Sequence, residues 1–229
     1  MGLFEFLNAQ NGSFFPLFDP DLIKENTFII DFSSSNKDLD YFDFGKTQEL
    51  GLYIFSQIRA SGKQYGYGGY LENREVYKRS QLFTNVNKPA RSIHLGVDVW
   101  TPAGQDVFSP LDGRIHSLQN NAHFGDYGPT IILEHQLDGR TFYTLYGHLS
   151  LESLMGLHPG DRIGPGTPFC QVGNFPINGD WPPHLHFQVI NDMMGKWGDF
   201  PGVCLDSEKD IYSKICPDPI VFFRGLRAG

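Results

Sequence analysis

The segment PPHLHFQVI, residues 182–190, carries two histidines inside an apolar run. Read as a strand, it points His184 and His186 to one side and Leu185 and Phe187 to the other. Neighbouring imidazoles can bind a metal, pass a proton, or sit satisfied in a sheet. Upstream, RSIHLGVDVW sets His94 four residues before Asp98. On an unbroken strand these two would share a face yet stand about 13 Å apart, too far to share one ion. Gly96 between them supplies a bend that can close the gap. Two imidazoles and one carboxylate make a three-ligand zinc site whose fourth position stays open, the pattern of catalytic rather than structural zinc. The same donor set also suits iron(II) oxygenases. His184 and His186 need not both be ligands, since one can hold metal while the other faces the reacting water. A third element, TFYTLYGHLS, ends near His148, which in this company supplies a second non-ligand imidazole. Tyr146, two residues earlier, is a candidate substrate contact and equally a packed strand tyrosine. His116, His123 and His158 show no comparable pairing. His135, in IILEHQL, reads as a half-buried strand histidine or as a residue that orients a ligand from behind.

These residues need strands to position them, and the chain supplies strand texture from about residue 90 onward. Short runs rich in Val, Ile, Phe and Tyr (HLGVDVW, TIILEHQL, TFYTLYGHL, PFCQVG, HLHFQVI) alternate with Gly, Pro, Asp and Asn. Asp138-Gly139 between two such runs is a hairpin signal. The expected class is mainly β, an antiparallel sandwich or barrel-like sheet, with a mixed N-terminal extension. The expected organisation is an extension over 1–89 with a helix near 50–60, a β domain over 90–192, and closing loops over 193–229. Within the extension, QYGYGGYLENREVY (64–77) reads as a structured loop leading to a strand or as a linker. Its Gly/Tyr-rich approach to His94 also suggests a segment that plugs the groove as an inhibitor.

Bulk properties narrow the partners. A chain of 229 residues with 40% hydrophobic content and 20 Phe can fill a sizeable core. A net charge of −8 argues against nucleic acid and against electrostatic attraction to anionic membranes. The start, MGLFEFLNAQNGSFF, lacks a signal-peptide pattern, and no apolar run approaches a membrane span. Cys170, Cys204 and Cys216 form no Cys-x-x-Cys pair and read as buried thiols of a reducing compartment. Cytoplasmic residence is the resulting expectation, with export by a non-standard route the alternative. Oligomeric state is not legible.

HLGVD, then GRTFYTLYGHLS, then PPHLHFQV match in order the His-x-x-x-Asp, Tyr-x-His-Leu and His-x-His signatures of the lysostaphin-like (LytM-type) zinc endopeptidases. The intervening PAGQDVFSPLDGRI, YGPTIILEHQLDG and GLHPGDRIGPG also resemble that family, so the likeness runs over roughly residues 90–192. It implies an antiparallel β core of lysostaphin/LytM type with a duplicated hybrid motif and a site in a groove across the sheet. It implies one Zn2+ per chain held by His94, Asp98 and His186, with His148 and His184 as the catalytic pair, their division of labour left open. The Tyr-x-His-Leu element favours zinc over iron. The implied reaction is hydrolysis of peptide bonds in peptidoglycan cross-bridges or stem peptides. A zinc hydrolase acting on an intracellular peptide or amide, and a non-catalytic binding or regulatory module, are the alternatives.

Overall fold

A computed structural model describes residues 1–10, 14–83 and 89–227. Strand β11 (His184–Ile190) alternates as its sequence demands, and it is buried on both faces throughout. On one side it pairs antiparallel with β4 (Val97–Trp100), and on the other with β8 (Arg140–Gly147). From β8 the sheet continues through β7 (Gly128–Leu137) and β6 (Gly113–Asn121) to the short edge strand β9 (Arg162–Ile163). The β7–β8 hairpin closes at Asp138-Gly139, where φ is 48° and 78°, as a tight two-residue turn that matches the twist of its strands.

Beyond β4 the sheet does not stop. β2 (Tyr65–Gly68) pairs antiparallel with β4, and β1 (Thr27–Ile29) lies parallel to β2. The result is one open eight-stranded sheet, antiparallel-dominated, with no closed barrel among the described residues. The N-terminal extension is therefore built into the sheet rather than appended to it. QYGYGGYLENREVY begins with a strand of its own and ends in a 3-10 turn (Glu75–Arg79), in place of the expected loop leading to a strand. Two short ladders complete the β structure: β3 (Ile93–His94) with β12 (Val203–Cys204), and β5 (Asp106–Phe108) with β10 (Pro168–Gln171).

Apolar spacing explains how the extension packs. In α2 (Thr47–Ala60) the residues Leu50, Ile54 and Ile58 recur every fourth position and are buried together with Phe32, Tyr77, Trp100 and Trp181. This helix realises the one expected near 50–60. The opposite sheet face carries Val97, Val99, Leu185, Phe187 and Val189 into a larger core, closed by Phe222 and Phe223 and by α1 (Leu3–Ala9). Residues after 193 are more than loops: β12 and α3 (Lys209–Ile215) pack Cys204, Cys216 and Ile215 around Phe200. All three cysteines are buried and free. Among the described residues no helix is long and apolar enough to cross a membrane.

Candidate active site

One row across the sheet assembles the site. Gly68 of β2 faces Asp98 of β4, Asp98 faces His186 of β11, and His186 faces Gly147 of β8. Directly opposed antiparallel residues hold their Cβ atoms about 5 Å apart, so the register alone brings the Asp98 and His186 side chains together. His94 joins them because the strand breaks. β3 ends at His94 and β4 begins at Val97, leaving Leu95 and Gly96 as the bend that the sequence suggested. Gly96 is also a close approach, since a Cβ there would run into the His186 ring and the Phe187 carbonyl.

His94 Nε2, His186 Nδ1 and Asp98 Oδ1 converge. The separations are 3.0 Å between the two nitrogens, 3.1 Å from His186 to Asp98, and 3.4 Å from His94 to Asp98. Each ring's other nitrogen is taken. His94 Nδ1 donates to the Gly69 carbonyl at 3.1 Å. His186 Nε2 donates to Gln188 Oε1 at 2.9 Å, and the Gln188 amide is oriented by its own donation to the Pro201 carbonyl at 3.1 Å. A carbonyl only accepts, so both ring protons lie on the outer nitrogens and the inner nitrogens present lone pairs. Burial, reinforced by the nearby Arg74 charge, lowers the His94 pKa to about 4, so His94 is neutral near neutral pH. Burial pulls the Asp98 carboxyl up, but the His94 ring and the Arg74 guanidinium more than offset it, and Asp98 stays ionised. Three lone-pair donors facing one another repel unless a cation lies between them. Tetrahedral zinc with bonds of about 2.0–2.1 Å needs donor–donor edges of about 3.3 Å, and these three edges fit. Among the described residues, this is the buried set of side chains placed to hold a metal ion.

His184 and His148 stand beside the donor set as a second pair, with ring centroids 4.2 Å apart. His184 Nδ1 donates to the Pro182 carbonyl at 2.7 Å, and His148 Nδ1 donates to the Asn178 carbonyl at 2.8 Å. Both rings thereby keep Nε2 as an acceptor, and His184 Nε2 lies 3.8 Å from Asp98 Oδ1. Burial pushes both pKa values down, in His148 aided by the His184 and His186 rings, so both are neutral bases. Trp100 stacks on His184 at 5.4 Å and 20°, and Trp181 meets His148 edge-on at 6.0 Å.

Tyr146, the expected substrate contact, is turned the other way. It pairs with Phe187 on the core face, is fully buried against Phe169 and Phe187, and bonds through its hydroxyl to Thr144. Strand alternation would send His148 to that same face, but His148 follows the end of β8 with φ at 62°. The left-handed residue turns its ring back over the sheet, held by bonds from its N–H to the Tyr127 carbonyl and from the Gly173 N–H to its own carbonyl, both 2.8 Å. His135 is fully buried rather than half-buried, and its partners are the Asp112 carbonyl and Thr144, away from the donor set.

The cavity over these imidazoles is about 300 Å³. Its walls include Tyr77 and Phe83 from the extension, Tyr127 and Trp181 from the β domain, and Phe200 from the C-terminal region. The extension thus contributes walls to the cavity. Sequence reasoning missed Arg74, Tyr127 and Gln188. The Tyr127 hydroxyl approaches His186 Nε2 at 3.5 Å and Gln188 Oε1 at 3.4 Å. Gln188 was findable, since it follows His184 and His186 on the same strand face.

Several solved structures align with parts of this chain. A zinc-containing peptidase from Vibrio cholerae aligns at 22% identity over 48% of this chain and 34% of that one, with a TM-score of 0.33. A putative peptidase M23 from Pseudomonas aeruginosa aligns at 22% identity over 65% of this chain and 53% of that one, with a TM-score of 0.38. The catalytic domain of the antimicrobial peptidase lysostaphin from Staphylococcus simulans aligns at 23% identity over 53% and 80%, with a TM-score of 0.37. The chain thus spans about a third of the first and about half of the second. No curated protein matches it. The family model of Peptidase family M23 matches residues 92–196, a span holding His94, Asp98, His148, His184 and His186.

Proposed function

We propose that the protein is a zinc-dependent metalloendopeptidase that hydrolyses peptide bonds of peptidoglycan or of closely related peptides. One observation carries the reading: three lone-pair donors converge at tetrahedral spacing beside two neutral imidazoles whose free nitrogens are acceptors. In it, His94 Nε2, Asp98 Oδ1 and His186 Nδ1 hold the ion. Bound there, zinc supplies Lewis-acid polarisation of the scissile carbonyl and lowers the pKa of a water. His148 and His184 do the proton work. One ring accepts the water proton at Nε2, and that proton is the one delivered to the leaving amine, directly or through Nε2 of the other ring. Their Nδ1–H bonds to backbone carbonyls fix both rings, so neither needs to reorient between accepting and donating. Gln188 and the Gly69 carbonyl hold the ligand imidazoles in the tautomers that metal binding requires. The M23 match supports a peptidase, and the peptidoglycan substrate follows the family that the sequence signatures resemble.

The test incubates the zinc-loaded chain, and a His184→Ala control, with purified peptidoglycan and with oligoglycine, and seeks new amino termini by mass spectrometry. New termini from the native chain alone are expected. Zinc bound at one per chain without any cleavage would overturn the peptidoglycan substrate and direct the search to other peptides.

A further inference from the structure

Arg74 lies outside the span that matches the family, yet its guanidinium is buried and contacts a donor of the metal centre. Nη1 of Arg74 donates to Asp98 Oδ2, the oxygen turned away from the two ligand histidines. Oδ1 is the oxygen that faces them, at 3.1 Å and 3.4 Å. We infer that Arg74 is a positioning residue that holds Asp98 as a one-oxygen ligand, leaving Oδ1 to the ion and keeping Oδ2 out of its coordination sphere. The inference rests on the zinc reading above.

A carboxylate offers a metal either one oxygen or both, and a guanidinium on the second oxygen decides between them. That decision holds only if the guanidinium is itself fixed, and four features fix it. Arg74 Nε donates to Glu72 Oε2 at 2.6 Å, and Glu72 Oε1 accepts the Phe32 N–H at 2.8 Å, so the tether ends on backbone. Phe32, Tyr77 and Trp100 surround the guanidinium carbon at 5.7, 6.0 and 5.9 Å. Tyr77 adds a long contact from its hydroxyl to Nη1 at 3.5 Å. Opposite Asp98 in β2 stands Gly68, where a Cβ would collide with Arg74 Nη2 and with the Trp100 ring. The cage is closed on its aromatic sides, and its charged opening faces Asp98.

Charge accounts for Glu72. A buried arginine needs a paired anion, and an ion bound at Oδ1 shares the Asp98 charge with Arg74. Glu72 supplies the second carboxylate, so the Arg74 charge is balanced without drawing the whole Asp98 charge away from the ion. Lysine cannot replace this arrangement, because a point charge lacks the planar fork that spans Glu72 and Asp98.

The experiment loads the full-length chain with Co2+ in place of zinc and compares native protein with Arg74→Met, Arg74→Lys and Glu72→Gln. Visible absorption reports coordination number, because four-coordinate cobalt absorbs more strongly than five- or six-coordinate cobalt. Competition with a chromophoric chelator reports affinity. The native chain should show intense four-coordinate bands. Arg74→Met should weaken those bands and lower affinity about 10–100-fold. Glu72→Gln should move both readouts the same way by less, and Arg74→Lys should recover part of the affinity but not the band intensity. An Arg74→Met chain that binds cobalt as tightly as native, or more tightly, with unchanged bands would overturn the inference and make Arg74 a competitor for Asp98. Should circular dichroism show Arg74→Met unfolded, Glu72→Gln decides: unchanged bands and affinity there overturn the inference too. A native chain that binds no cobalt would instead overturn the zinc reading itself, and this inference with it.

Discussion

His94 and His135 are both fully buried strand histidines, and burial lowers the pKa of each to about 4. By solvent exposure and by proton affinity they are twins, yet their surroundings differ in kind. His135 has both nitrogens answered by the fold, Nδ1 on the Asp112 carbonyl at 2.9 Å and Nε2 on the Thr144 hydroxyl at 2.7 Å. His94 has one nitrogen answered, while the other points at a second imidazole lone pair and an ionised carboxylate. Burial with a shifted pKa is therefore not what marks this site, because a purely structural histidine shows both. What marks it is a set of donors that oppose one another across a space of ionic size.

The contrast can be broken most sharply by substitution. His94→Ala should abolish stoichiometric zinc in metal analysis and lower peptide hydrolysis by at least about 10³-fold, since metal and base act as one unit. His135→Gln should leave zinc content and rate near native while lowering stability by about 1–3 kcal/mol in denaturant titration. If His135→Gln lost the metal, the distinction between the two histidines would fail. Next in size, His184→Ala and His148→Ala should each retain zinc and lose about 10²–10⁴-fold in kcat, the usual worth of one general acid or base.

Acidity sharpens the same comparison in the zinc-loaded chain. His135 titrates near the ordinary 6.5 when unfolded and at about 4 when folded, so below 6.5 the unfolded chain binds the extra proton. The contribution of His135 is present above pH 6.5 and is lost as pH falls toward 4, by roughly 3 kcal/mol across that window. Native chain minus His135→Gln, compared by denaturant titration at pH 7 and pH 4.5, should show that decline, and parallel curves would contradict it. The smallest effect expected is at Tyr146→Phe. Loss of a hydroxyl bonded to Thr144 inside the core should cost about 1 kcal/mol with KM unchanged. A raised KM would restore Tyr146 to the substrate site.

Much of the candidate site was readable because its logic is short-range. His-x-His on a strand places two rings on one face, and Gly96 announced the break that brings His94 to Asp98. The Asp138-Gly139 hairpin and the helix after Thr47 follow equally from local chemistry. The points left open or missed share a cause, which is geometry set between distant segments. Of the two readings left open for Tyr146, the structure takes the packed strand tyrosine, whose core neighbours Phe169 and Phe187 come from other strands. Arg74, in LENREVY, has the composition of a solvated polar turn. The pairing of β2 with β4 and the bond from the Arg74 N–H to the Ser92 carbonyl, both long-range, set it against Asp98. The same pairing turned a presumed extension into two strands of the main sheet.

That pairing also bears on what can be made as a separate piece of protein. Asp98 lies on β4, whose outer edge is bonded to β2 through Gly66↔Trp100, Tyr67↔Val99 and Gly68↔Asp98. A fragment trimmed to the family match at residues 92–196 would leave that edge with unanswered N–H and C=O groups and strip α2 from Trp100 and Trp181. Raw sheet edges of this kind template aggregation. The cooperative folding unit is thus larger than the stretch that carries the metal donors, and soluble expression should require the strands and helix that precede it.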